Sequence, residues 1–293
     1  MMKDYLVRGM TMDGFVKVVA IRSTEIVRRG AQIQGTTPNA TAAFGRCLTA
    51  AAMMGNMQKA ENGSMTLQIR GGGPIGTITV VSDSVGNVRG CVTEAKVPLV
   101  EKYPGKLDVG ATVGNDGTIT VIRDLQLKEP YIGSTPLVSG EIGDDVTAYF
   151  AQSEQTPTAC ALGVLVDRDQ SVKVAGGYLV QLLPGAPEEV VEALEEGIRR
   201  AGAVTPMLEQ GMTPEDILGQ VCGTLGVVFM ETTEVTYKCY CSRERVEGAL
   251  ISLGRKELEE IRDEGKDFPV ECQFCDTIYA FTPEDIGKLL EEV

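Results

Sequence analysis

Two close cysteine pairs constrain this chain more than anything else in it. Cys239 and Cys241 flank Tyr240, and Cys272 and Cys275 flank Gln273-Phe274, with thirty residues between the pairs. Four thiols in two clusters suit a tetrahedral metal site, where each pair supplies two corners and the intervening chain returns for the rest. The chain has no histidine, so such a site is all-sulfur, which points to zinc with Cys239, Cys241, Cys272 and Cys275 as ligands. Four thiolates on one dication leave a local charge of −2, near Lys238, Arg243 and Arg245.

The first pair is unusually short. Structural knuckles normally use Cys-x-x-Cys; here one residue intervenes, and a disulfide closed there makes a small, strained ring of the labile kind. Cys272 and Cys275 have redox-dithiol spacing. Spacing alone leaves a static knuckle and a redox-sensitive one both open. A module of about sixty residues buries too little surface to be comfortably stable without help. Metal binding at ~10–16 kcal/mol exceeds the stability of a typical small domain. The tail is therefore expected to fold with its metal and loosen without it.

Charge narrows the partners. The net charge is −14, and residues 231–293 hold sixteen acids against eight bases. That sign repels nucleic acid and anionic lipid. The start of the chain has no signal-like apolar run, and Ala40–Met57 is interrupted by Arg46 and Asn56, so no membrane span is expected. Eight cysteines then fit thiols in a reducing, cytoplasmic setting.

Upstream, the pattern is α+β: a core of strand hairpins with packed helices over 1–184, a helical linker over 185–232, and the cysteine module over 233–293. Residues 4–21 read as a hairpin turning at Asp13-Gly14. Thr24 starts one helix and Thr37-Pro38 a second, Ala-rich one, whose Phe44, Leu48, Ala51 and Met54 mark a core stripe. Strand-like runs include Leu67–Arg70, Thr77–Val81, Val88–Thr93, Gly105–Val109 and Thr118–Ile122, with a helix over Glu141–Ser153 and a hairpin around Asp167-Arg168-Asp169. Pro184–Pro187 marks the boundary. Beyond it come an amphipathic helix through Val190, Leu194 and Ile198, and a helix opened by Thr213-Pro214. The apolar, glycine-broken run from Val221 to Met230 follows; its functional reading is that it packs only conditionally.

Other candidate sites read as structure. Gly71, Gly73 and Gly76 match G-x-G-x-x-G, but a β-branched run follows where a dinucleotide site needs a helix N-terminus. Glu141, Asp144 and Asp145 cluster at a helix start. The lack of histidine excludes Ser-His-Asp and Cys-His nucleophiles. No catalytic residues and no organic cofactor are expected, and the chain reads as a non-enzyme.

These residues resemble the heat-shock protein 33 family of redox-regulated holdase chaperones, over essentially the whole chain. The resemblance rests on Cys239-x-Cys241-Ser242-Arg243-Glu244-Arg245 and Cys272-x-x-Cys275. In the core it includes Gly71–Gly76, Ser139–Asp145, Ser153-Glu154-Gln155 and Ala175-Gly176-Gly177. It implies one zinc per chain in the reduced, inactive state, held by the four cysteines. It further implies Cys239–Cys241 and Cys272–Cys275 disulfides on oxidation, with zinc release, unfolding of tail and linker, and ATP-independent holding of unfolding or oxidatively damaged proteins by a homodimer. Cys47, Cys91, Cys160 and Cys222 lie outside the motif and carry no expected sensing role. The rival readings are a constitutive zinc-module interaction protein and a thiol–disulfide oxidoreductase; the latter lacks a βαβ pattern before its Cys-x-x-Cys.

Overall fold

A computed structural model describes residues 3–292 except Lys59 and Glu61. It divides into two compact units, one ending at Lys238 and the other starting at Cys239.

The larger unit is built around one helix. Its strands and helices follow in the order β1 (Tyr5–Thr11), β2 (Val16–Arg22), α1 (Thr24–Gln34), α2 (Pro38–Asn56), β3 (Ser64–Arg70), β4 (Thr77–Asp83) and β5 (Val88–Val92). Next come a short hairpin of β6 (Glu101–Tyr103) and β7 (Lys106–Leu107), then α3 (Val109–Val113), β8 (Thr118–Asp124), β9 (Tyr131–Pro136) and α4 (Gly143–Ser153). The unit continues through β10 (Thr158–Val166), β11 (Val172–Leu182), α5 (Glu188–Ala201), α6 (Val204–Glu209), α7 (Pro214–Cys222) and β12 (Val227–Glu234). Two five-stranded sheets result, ordered β10-β11-β2-β1-β12 and β5-β4-β3-β8-β9.

Helix α2 packs against strands of both sheets and is buried nearly all round, as its composition of Ala, Met, Phe and Leu requires. Its one charge, Arg46, is answered by Glu141 at 2.6 Å. Gly45 and Gly55 allow the close approach: a Cβ at Gly55 would lie 2.1 Å from Ser82 Oγ.

The two sheets differ in how their faces are covered. In β3 and β4 burial alternates, with Met65, Leu67, Ile69, Ile78 and Val80 turned to the core and Thr66, Gln68, Thr77 and Thr79 only partly buried. That is a one-sided antiparallel sheet. In β2, however, Val19 and Ile21 join the α2 side while Val16, Val18 and Ala20 pack on the other side with Val190, Leu194, Leu208, Ile217, Leu218 and Val221. Helices α5–α7 thus cover a second apolar face of this sheet. Glycines bring them close: a Cβ at Gly163 in β10 would sit 2.5 Å from Thr205 Oγ1. Tyr5 adds a polar tie to α7, its hydroxyl donating to Glu215 at 2.7 Å.

Three local expectations change. The run Gly105–Val109 is not one strand: only Lys106–Leu107 pairs, because Asp108 caps α3 by accepting from Ala111 N–H at 2.8 Å. The helix expected from Glu141 begins at Gly143, since residues 138–142 wrap the Asp145 carboxylate instead. The apolar run through Met230 is no covered segment. After α7 it becomes edge strand β12, paired antiparallel with β1, leaving Val228, Phe229 and Met230 exposed.

The second unit contains α8 (Arg243–Ile251), α9 (Arg255–Asp263), the hairpin β13 (Phe268–Glu271) and β14 (Ile278–Phe281), and α10 (Pro283–Leu289). Its buried apolar core is small: Leu250, Leu258, Phe281, Ile286, Leu289 and Leu290, with Val246, Ile251, Ile261, Phe268, Val270 and Tyr279 partly buried against it.

Candidate metal centre

Local chemistry places each cysteine pair. Cys239 and Cys241 lie in the irregular segment before α8, which Ser242 caps by accepting from Arg245 N–H at 3.3 Å. Cys272 and Cys275 occupy the turn of the β13–β14 hairpin. There Cys275 N–H donates to Cys272 O at 3.2 Å and Cys272 N–H to Thr277 O at 3.1 Å. Arg243 joins the two halves. Its guanidinium stacks 4.3 Å from the Phe281 ring centroid, donates to Ala280 O at 2.9 Å, and pairs with Asp285 at 3.0 Å and Glu247 at 3.1 Å. Its charge is therefore spent on packing, not on the sulfurs as charge counting suggested.

The four sulfurs converge. All lie within 4.8 Å of one another, with Cys239–Cys272 at 3.7 Å and Cys241–Cys275 at 3.4 Å. Four sulfurs around one ion at 2.3 Å bonds form a tetrahedron with edges of about 3.8 Å. The cluster thus has the size and the donors to hold a metal ion.

The thiols are electrostatically unequal. Burial pushes Cys239 up to about 12, with neighbouring thiols adding to the rise against a backbone hydrogen bond at Cys241. Burial also raises Cys275, but hydrogen bonds from Thr277, Cys241 and Cys272 outweigh it and bring that thiol to about 7. Tyr279 hydroxyl donates to Cys241 Sγ at 3.2 Å, and its own proton is held up to about 12 by that bond. The sequence assigns Tyr279 no role in the site; an aromatic beside cysteines carries no signal until the hairpin folds back.

The other candidates are structural. Asp145 is fully buried and accepts from the backbone of Val138, Ser139, Gly140 and Ile142 at 2.7–3.3 Å, so it organises a loop. Glu141 is committed to Arg46 and Lys102. Gly71–Gly76 connects β3 to β4, and a Cβ at Gly71 would meet Gly114 O at 2.3 Å, so the glycines serve backbone packing. Burial pushes Cys160 to about 12 and Cys222 to about 11 and raises Cys47 further, which keeps these thiols protonated and unreactive. Among the described residues no helix is long and apolar enough to cross a membrane.

Comparison with known proteins agrees with this architecture. The family model described as Hsp33 protein matches residues 4–282. A 33 kDa chaperonin of Alkaliphilus oremlandii is 47% identical over 292 residues, covering 100% of this chain and 98% of the relative. One of Bacillus cytotoxicus is 45% identical over 290 residues, covering 99% of both. The crystal structure of the 33 kDa chaperonin (heat shock protein 33 homolog) of Thermotoga maritima superposes with a TM-score of 0.90 at 38% identity, over 99% of each chain.

Proposed function

The chain belongs to the Hsp33 family, and from that premise we propose that it is a redox-regulated, ATP-independent holdase chaperone, not an enzyme. The convergence of four thiols in a unit with so small an apolar core carries the reading. In the reduced state Cys239, Cys241, Cys272 and Cys275 would hold one zinc ion, which cross-links the two ends of the module when bound.

Oxidation acts on the chain's own thiols. Each pair, Cys239–Cys241 and Cys272–Cys275, gives up two thiolate electrons to a two-electron oxidant such as peroxide, which takes two protons from solvent and leaves as two waters. The donors are then consumed, and neither disulfide ties one pair to the other. The thirty-residue loop between them opens, and the six-residue apolar core is left to hold the module alone. We take residues 233–293 as this switch and 185–232 as the linker that responds to it. The cover of α5–α7 on the first sheet supports that assignment. Their removal uncovers Val16, Val18, Ala20, Tyr178 and Val180, a face whose valines are each worth about 1.5–3 kcal/mol when fully buried. Hydrophobic attraction is non-directional, so such a face suits many unfolded polypeptides. A net charge of −14 keeps the resulting complexes soluble, and a homodimer is the expected active form.

The test is one sample measured before and after peroxide with mild heat. Zinc content, helicity and suppression of light scattering by a heat-unfolded client are read together. Zinc loss, partial helix loss and a gain in suppression are expected. Retained zinc with unchanged client binding supports a constitutive zinc module instead.

A further inference from the structure

The larger unit contains a cavity of about 380 Å³ that the switch does not use. It lies where the end of α2 and α4 meet the first sheet, and Met54, Met57, Phe150, Leu179, Met10 and Met230 supply its apolar wall. Thioethers are flexible and polarisable, so a methionine wall adapts to guests of different shape. Two ion pairs also line it, Arg8–Glu231 and Arg123–Glu154. Lys17 is exposed where it lines the cavity. The self-paired charges favour a guest that is neutral where it meets the wall.

Two polar side chains there have buried atoms without a partner. Both the Nε2 and the Oε1 of Gln58 are buried without a hydrogen-bond partner, and Arg123 Nε is likewise unpartnered. A buried amide lacking donor and acceptor partners is destabilising, because neither end regains the hydrogen bond it gave up to water. In an extended chain the N–H and C=O of one residue point to the same side and can meet both ends of a carboxamide, whereas an ionised fatty acid offers no donor and brings a charge. The pocket also reaches edge strand β12, whose side away from β1 carries no strand among the described residues. An extended chain fits such an edge.

We propose that this pocket binds one apolar side chain of an extended polypeptide, with the N–H and C=O of one of its residues hydrogen-bonded to the Gln58 amide. That the polypeptide is an unfolding client rests on the chaperone reading; the recognition itself does not. The pocket lies in the larger unit, so binding should be present in the reduced, zinc-loaded protein.

The experiment uses the full chain, reduced and zinc-loaded, with ¹³C-methyl methionine, titrated with N-acetyl-leucine methylamide. Saturable shifts of the Met54 and Met57 methyl signals are expected, with Met212 unmoved. Gln58→Leu should weaken binding about fivefold or more, and an unchanged Met212 signal reports that the variant is folded. Still Met54 and Met57 signals, or equal affinity in the variant, overturn the proposal. Client identity is read separately, from aggregation suppression by the oxidised proteins. If Gln58→Leu loses the probe yet holds clients like the parent, the client assignment falls. If the oxidised parent holds nothing, the chaperone reading falls while the methionine titration still decides the pocket.

Discussion

The Tyr279 hydroxyl, on β14, reaches across to donate to the Cys241 sulfur at 3.2 Å. A hydrogen bond to a thiolate lowers its electron density, and removal of this one leaves the sulfur more nucleophilic. Tyr279→Phe is expected to release metal several-fold faster under a fixed peroxide concentration, with little change in the reduced fold. A chromogenic zinc chelator follows the rate. An unchanged or slower rate means that this bond does not protect the site.

Cys241→Ser removes one of four converging donors. After dialysis against a chelator the variant should keep under roughly a tenth of the parent's metal. The small core of the second unit should then fail to hold its helices, seen as lost helicity by circular dichroism. Full metal retention would show that the ligand assignment is wrong.

Gly197 in α5 faces α7 so closely that an added Cβ would lie 2.0 Å from Val221 O. Gly197→Ala should loosen this packing by about 1–3 kcal/mol, the usual penalty of overpacking. The reduced variant should bind an apolar dye and suppress client aggregation before any oxidation. If it stays as silent as the reduced parent, α5–α7 are not the cover.

Val228 and Phe229 are already 49% and 43% exposed in edge strand β12. Polar replacement of both should change reduced-state stability by no more than about 1 kcal/mol. Weaker holding by the oxidised variant would mark the strand as client surface. Equal holding at every oxidation state removes it from that role.

Asp4 supplies a pH dependence of its own. Burial lifts its carboxyl to about 7, against the opposing pull of the Ile26 N–H it accepts from at 2.7 Å. The folded state therefore binds this proton more tightly than the unfolded chain, whose value is 3.8. The contribution to stability is present below about 4, falls as pH rises through the interval to about 7, and is flat above it; the loss is of the order of 4 kcal/mol. Asp4→Asn should flatten denaturant midpoints across this window. A parallel pH profile in parent and variant would contradict the assignment.

Much of the site was legible before folding, because its chemistry is local. Cys-x-Cys and Cys-x-x-Cys bring two sulfurs together by covalent spacing alone, and the absence of histidine settled the donor type. Caps at Thr213, Ser242 and Thr282 likewise act within one helical turn, and their hydrogen bonds are present. The Asp13-Gly14 turn stands between β1 and β2.

What depended on tertiary structure is how distant residues share a surface. Period-two alternation states that Val18 and Val19 face opposite ways, but both are apolar, so the pattern cannot say which face takes α2 and which takes α5–α7. An apolar run such as Val227–Met230 reads alike as linker or strand; its pairing with Gly9–Thr11, more than two hundred residues away, made it an edge. Tyr279 on Cys241, Arg243 on Phe281 and the unpartnered Gln58 amide in its methionine pocket arise the same way. The amino-acid order by itself determined the metal-binding chemistry, the turns and the helix starts, because those interactions span a few bonds. Which apolar face is hidden, and which polar group is left waiting for a partner, was decided only when non-local packing chose among hydrophobic surfaces that attract without direction.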